Sequence, residues 1–201
     1  VSVDRVVLAT HNPHKVAEFQ AIVATVRPDL TVIGYDGPEP VEDGVTFAQN
    51  ALIKARAATA HTGLPALADD SGLCVDVLGG SPGVFSAYWA GHAKDDVANR
   101  RLLLDQLSDL APEHRGAHFT SVIALTLPDG TERTVEGIWP GRLARTETGQ
   151  NGFGYDPVFV PDDADGTPGT GSAAELSAEE KNAQSHRSRA FAHLLPLLAS
   201  L

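Results

Sequence analysis

Runs of β-branched and aliphatic residues alternate along the chain with stretches whose apolar positions recur every three or four residues, and these two periods predict its elements. Val3 to Ala9 is a β-branched run that reads as a buried strand ending at THNPHK. Asn12 before Pro13 marks a helix start, because Asn caps free N–H groups and Pro fits the first helical position. Phe19, Ile22, Val23 and Val26 then lie at i, i+3, i+4 and i+7 and give this helix one apolar face. Leu30 to Tyr35 is a second strand. Thr46 with Gln49 has the pattern of a capping box and opens a helix to about Ala60. Pro65 to Ala68 and Leu73 to Leu78 read as short strands on either side of an Asp69-Asp70-Ser71-Gly72 turn.

Farther on, GGSPG (79–83) is a loop and Asp95 to Leu110 an amphipathic helix. His118 to Leu127 and Thr131 to Trp139 flank Asp129-Gly130, a hairpin signal. Arg142 to Arg145 and Pro157 to Val160 bracket the glycine-rich TGQNGFGYDP, and 161–173 has the composition of a loop. Ser177 with Glu180 opens another capped helix, and Phe191, Leu194, Leu195 and Leu198 make the face of a last one. There is no internal repeat. The order is mixed α/β, with the long hairpin a candidate second lobe.

Two hundred and one residues suffice for one large domain or two small lobes. The formal charge of -11 speaks against non-specific binding to nucleic acid or anionic membranes, which needs clustered Lys and Arg. It leaves room for a small anion in a local basic pocket. Only four lysines occur (Lys15, Lys54, Lys94 and Lys181), so their positions are informative. Cys74 is the sole cysteine, which excludes an intrachain disulfide and suggests a reducing compartment. VSVDRVVLAT lacks the pattern of a signal peptide, and no apolar run approaches the roughly 20 residues of a membrane helix. The expectation is a cytoplasmic protein that engages neither membrane nor nucleic acid polymer.

Several familiar sites are missing. There is no P-loop signature and no H-E-x-x-H, and His114 with His118 lacks a zinc-ligand set. GGSPG formally matches G-x-S-x-G, but the residue after the serine is Pro82, which has no N–H to offer an oxyanion. Four segments remain. In LATHNPHK, Thr10, Asn12 and Lys15 sit where a strand gives way to a helix, a natural anion site, although this segment alone favours a plain cap with an exposed lysine. In EDGVTFAQNALIKA, Asn50 and Lys54 share one side of a helix; an amphipathic lysine reaching for water is the alternative.

Asp69 and Asp70 form the third. Adjacent carboxylates repel unless a cation or proton intervenes, and hard oxygen ligands of this kind suit Mg²⁺. They would point to opposite faces if a strand continued through them. A water-facing turn is the competing reading. In the fourth, Gly152 and Gly154 around Phe153 let backbone approach a flat ligand closely, and the ring can stack on it. Lys181, His186 and Arg187 stand just before the last helix, where cations oppose the dipole. Three of the four lysines thus fall in candidate segments, which favours a shared anion.

In order, LATHNPHKVAEF, EDGVTFAQNALIKA, ALADDSGLCVDVLGGSPGVFSA, GFGYDPVF and AELSAEEKNAQSHRSRA resemble the inosine triphosphate pyrophosphatase family, the Ham1-like pyrophosphatases of non-standard purine nucleoside triphosphates. The resemblance runs nearly end to end. It implies one nucleotide pyrophosphatase domain over 1–201 with an elongated mixed-sheet α/β fold, two lobes around a central substrate cleft, the hairpin region 116–147 in the second lobe, and a homodimer. It implies Mg²⁺-dependent hydrolysis of ITP, dITP and XTP to the monophosphate and pyrophosphate. Carried over by motif, Thr10, His11, Asn12, Pro13, His14 and Lys15 belong to the triphosphate-binding segment, with Lys54 assisting. Glu42 and Asp70 would bind Mg²⁺, with Asp70 also the proton acceptor and Asp69 in support. Ser71 would contact substrate, and Phe153, Gly154, Tyr155, Asp156, Lys181, His186 and Arg187 would recognise ribose and the 6-oxo purine.

This sequence departs from the family's pattern at His11, where a small residue is usual, at Tyr88, where arginine is common, and in a longer 161–172 loop. A pyrophosphatase with another base preference and a nucleotide-binding protein without turnover stand as alternatives. The retained carboxylates argue against the second.

Overall fold

A computed structural model describes residues 3–200; the domain expected over 1–201 also takes in Val1, Ser2 and Leu201, which lie outside the described residues. Six strands form one mixed sheet in the order β2-β1-β3-β4-β5-β6, with β1 Arg5–Leu8, β2 Thr31–Gly34, β3 Ala66–Val75, β4 Gly116–Thr126, β5 Glu132–Leu143 and β6 Phe159–Pro161. β1 runs parallel to both β2 and β3, while β5 and β6 are antiparallel. The helices are α1 Pro13–Val23, α2 Phe47–Thr62, α3 Asp96–Gln106, α4 Ala178–Gln184 and α5 His186–Ala199. The mixed α/β class is as expected. None of the helices among the described residues is long and apolar enough to cross a membrane.

The cap signals act as their chemistry dictates. Asn12 accepts from the His14 N–H at the start of α1, with Pro13 in the first turn. Thr46 accepts from the Gln49 N–H, but the Gln49 side chain reaches the Val45 N–H rather than closing the box on Thr46. Ser177 and Glu180 complete a reciprocal box on α4. α2 ends at Gly63, whose φ of 69° is one that L side chains rarely adopt. Val26 lies beyond α1 and is 38% exposed, so the buried face of that helix is Phe19 and Val23.

Contacts divide the chain into two compact units, Val1–Asp70 with Ser121–Gly137 and Ala190–Leu201, and Ser71–Thr120 with Ile138–Arg189. Each has its own core. In the first, Val6, Leu8, Phe19, Leu30, Leu67, Ile123, Phe191 and Leu194 pack together, Phe19 and Phe191 edge to face at 4.4 Å. In the second, Leu73, Leu103, Leu107, Phe119, Trp139, Leu143, Tyr155 and Phe159 do so. The β4–β5 hairpin is shared out, its tip (121–137) belonging to the first unit and its arms (116–120 and 138–147) to the second. The cause is composition: Ile123, Leu125 and Val135 near the tip join the first core, and Ala117, Phe119, Trp139 and Leu143 join the second.

Two expectations about strands change. β3 is continuous through Asp69-Asp70-Ser71-Gly72, where a turn was expected, and Asp76–Leu78 is a short 3-10 turn. Arg142 and Leu143 are the end of β5, paired with β6.

Candidate active site

The first unit gathers the acidic and lysine-bearing segments. Because β3 is a continuous strand, successive side chains leave it on opposite faces. Asp69 Oδ1 lies 2.5 Å from Lys15 Nζ on α1, and Asp70 Oδ1 lies 3.6 Å from Lys54 Nζ on α2. Lys54 also bonds Glu42 at 2.9 Å, so one ammonium gathers two carboxylates from different segments. Asp70 Oδ2 is buried and has no hydrogen-bond partner, which is costly for an ionised carboxylate. Burial pushes the Asp70 carboxyl above the usual range, opposed by Lys54 and Asn50 and reinforced by the charges of Glu42 and Asp69. Burial works against a charged Lys54, but Asp70 and Glu42 outweigh it and hold the ammonium above its ordinary value.

At the β1–α1 junction, Thr10 Oγ1 accepts from the Asn12 N–H and Asn12 Oδ1 from the His14 N–H. Pro13 and His14 open α1 and are exposed. His11 turns to the loop after β2: its Nδ1 lies 3.1 Å from Glu39 Oε1, its Nε2 3.0 Å from the Gly37 carbonyl, and its ring stacks on Tyr35 at 5.8 Å.

The second unit holds a pocket of about 240 Å³ lined by Ser71, Ser86, Asp96, Phe119, Lys181, His186, Arg187 and the Phe153–Asp156 stretch. Every residue expected to read the base, and Ser71 with them, lines it. Phe153 is 60% exposed, with Lys181 Nζ 4.8 Å and Arg187 Cζ 5.5 Å from its ring centroid. Asp156 is buried, and its Oδ2 accepts from Lys181 Nζ at 2.5 Å and the Phe153 N–H at 2.8 Å. A side chain at Gly152, whose φ is 75°, would collide with that carboxylate. The Tyr155 hydroxyl donates to the Ser86 carbonyl, and burial pushes its phenol well above the ordinary value, so it stays neutral.

His186 and Arg187 occupy the first turn of α5, which begins earlier than the apolar face from Phe191 indicates. The polar side chains at that helix start are accounted for by what they meet. His186 is buried and stacks on Phe119 at 4.9 Å, while Arg187 lies over Phe153. Tyr88 stacks on His92 at 5.5 Å. Sequence reasoning missed Asp96 and Ser86. Asp96 reads as an ordinary acidic first-turn residue behind the Asp95 cap, and only its bond to the Gly154 N–H reveals its place.

Among the described residues no group of three or more His, Cys, Asp and Glu side chains is placed to hold a metal by itself. Mg²⁺ commonly takes only one or two carboxylates, the remainder being phosphate and water. The Glu42–Asp70 pair, with a buried oxygen lacking a partner, fits that requirement.

The sequence model of the Ham1 family matches residues 6–197. The chain is 60% identical over 197 residues to a dITP/XTP pyrophosphatase of Leifsonia xyli subsp. xyli, covering 98% of this chain and 96% of that one. The fold superposes on a HAM1 protein from Coxiella burnetii with a TM-score of 0.87 at 39% identity, covering 98% and 99% of the two chains. A solved nucleoside-triphosphatase, dITP/XTP pyrophosphatase, from Mycobacterium abscessus gives 0.82 at 49% identity, covering 96% and 99%.

Proposed function

The chain belongs to the Ham1 family, and on that premise we propose that it hydrolyses non-standard purine nucleoside triphosphates, dITP, ITP and XTP, to the monophosphate and pyrophosphate. The observation that carries this reading is the unlike setting of two neighbouring carboxylates: Asp69 is paired with Lys15, while Asp70 keeps a buried oxygen without a hydrogen bond.

Water attacks the α-phosphorus, the bond from that phosphorus to the bridging oxygen breaks, and pyrophosphate departs carrying that oxygen and the electron pair of the broken bond. The water proton passes to the Asp70 carboxylate, one oxygen of which has no hydrogen bond to give up. Lys15 and Lys54 exchange their carboxylate partners for phosphate oxygens and offset the charge gathering on the leaving group. Thr10 and Asn12 order the β1–α1 turn at the phosphates. Mg²⁺, held by Glu42 and Asp70, would polarise the phosphoryl oxygens and balance negative charge.

In the second unit Phe153 supplies a stacking face, and Lys181, His186 and Arg187 supply donors for a 6-oxo purine. Adenine offers an amino group at that position and would leave a donor unpaired, a mismatch that discriminates strongly. A homodimer accompanies this reading as a family expectation, and light scattering of the purified protein tests it.

The decisive experiment incubates the protein with Mg²⁺ and, separately, dITP, ITP, XTP, ATP, GTP, CTP and UTP, measuring pyrophosphate and orthophosphate independently. The expected result is pyrophosphate from the first three in preference to the rest. Orthophosphate as the sole product overturns the proposed bond cleavage, and equal turnover of all seven overturns the base assignment.

A further inference from the structure

α3 grips a single residue of the base-pocket loop from both sides of its backbone. Asp96 Oδ2 accepts from the Gly154 N–H at 2.9 Å, and Arg100 Nη1 donates to the Gly154 carbonyl at 2.7 Å. The two side chains are four residues apart on α3 and so share one face of that helix. Arg100 Nη2 also reaches Glu147 Oε2 at 3.1 Å, so this guanidinium ties together both ends of the 147–154 segment.

Between the tied ends lies Phe153, flanked by Gly152 at φ 75° and Gly154 at φ 59°. Glycine loses more conformational freedom on ordering than any other residue, so neither flank orients the ring by itself. The Phe153 N–H is fixed by Asp156, and the N–H and carbonyl that follow the ring are fixed by Asp96 and Arg100. The ring itself is 60% exposed, so no surrounding core holds it.

We propose that Asp96 and Arg100 are positioning residues that aim the Phe153 ring at the purine and thereby govern base recognition. This rests on the reading of the pocket as the base site. With the grip in place the ring is presented in advance, and little ordering is left for substrate to supply. Without it the glycine-flanked ring samples many orientations, and substrate affinity falls while the chemical step is left alone.

Four variants test this: Asp96→Ala, Asp96→Asn, Arg100→Met and Phe153→Ala, with Asp96→Ala also combined with Phe153→Ala. Loss of a base-stacking contact predicts that Phe153→Ala raises KM for dITP about tenfold. Asp96→Ala and Arg100→Met should raise it several-fold with kcat within about twofold, because only binding is touched. Asp96→Asn, which keeps an acceptor for the Gly154 N–H, should restore KM. In the Phe153→Ala background Asp96→Ala should add nothing further, since it acts through the ring. A full additional KM increase in the double variant, or a fall in kcat with KM unchanged, overturns the proposal.

Amide hydrogen exchange at Gly154 reads the grip without any nucleotide. Protection should be lost in Asp96→Ala and retained in Asp96→Asn, and unchanged protection in Asp96→Ala overturns the grip itself. Failure of the wild-type protein to turn over dITP, with that exchange pattern intact, would instead count against the proposed function.

Discussion

Asp69 and Asp70 are consecutive residues of one strand, yet they answer to different lysines, Asp69 to Lys15 of α1 at 2.5 Å and Asp70 to Lys54 of α2 at 3.6 Å. The alternation of a β-strand produces this directly, since neighbours leave opposite faces. One carboxylate is thereby held in a close ion pair. The other retains an oxygen that is buried and lacks a hydrogen bond.

The first prediction concerns Asp70→Asn. An amide cannot take a proton from water, so activity should fall about 10²–10⁴-fold, the usual range for a general base. The melting temperature should stay within about 2 °C of the parent or rise, because a buried charge is removed and Lys54 keeps Glu42 as a partner. Calorimetry with a turnover assay checks both. Wild-type activity in this variant would remove Asp70 from the mechanism.

Lys15 and Asp69 form a partly buried pair, their side chains 26% and 9% exposed. Lys15→Met leaves the Asp69 carboxylate without that partner and should destabilise the fold by about 2 kcal/mol, less than for a fully buried pair. Lys15→Met combined with Asp69→Leu should recover much of that stability while activity stays lost. Chemical denaturation separates the cases, and a double variant no more stable than Lys15→Met would show that loss of the Lys15 ion pair at Asp69 is not the cause.

Arg115 is 2% exposed and donates to the carbonyls of Leu143, Leu107 and Ala144, tying the end of α3 to the end of β5. Burial, with a contribution from Arg145, lowers its pKa, but a guanidinium remains charged. Arg115→Leu would take a charged donor from all three carbonyls, of which Leu107 keeps the Leu110 N–H, and should cost about 3 kcal/mol. Arg115→Lys should recover little, because an ammonium lacks the planar fork. Urea midpoints of both variants decide, and a lysine variant matching the parent contradicts the clamp.

Acid stability has a defined source in the second unit. Hydrogen bonds from the Ser172 N–H and the Thr148 hydroxyl hold Glu175 below its ordinary 4.5, and the Ser177 N–H and hydroxyl do the same for Glu180. A depressed carboxyl favours the fold above the unfolded value, and that contribution disappears as the pH falls from 4.5 through the folded value. Glu175→Gln and Glu180→Gln should therefore melt below the parent at neutral pH and converge with it in acid. Parallel curves at all pH values would exclude the linkage.

Much of this was legible in the sequence wherever a local signal had a local cause. The caps at Asn12, Thr46 and Ser177 and the Asp129-Gly130 turn needed nothing beyond their own neighbours. The line through Asp69-Asp70-Ser71-Gly72 was not legible, since Asp and Gly are poor strand formers. What keeps β3 straight there lies elsewhere in the chain, in Lys15 and Lys54, which take up the carboxylates. The residues proposed for the base, which line the second unit's pocket, were singled out through their motif, but Asp96 and Arg100 carry no signal that separates them from any exposed helical charge. Arg115 was equally silent, because nothing in a sequence marks a guanidinium for burial against three carbonyls.

One boundary between the units falls between Asp70 and Ser71, with the residues proposed for the phosphates, Thr10, Lys15, Glu42, Lys54, Asp69 and Asp70, in one unit and the pocket-lining residues proposed for the base in the other. Substitutions in separate networks with no shared partners tend to combine additively. On the proposed function, substitutions at Phe153, Lys181 or Arg187 would alter base preference and affinity while leaving the proposed phosphate-side residues in place. A directed-evolution library confined to those positions would then explore other bases against an unchanged set of proposed phosphate-handling residues.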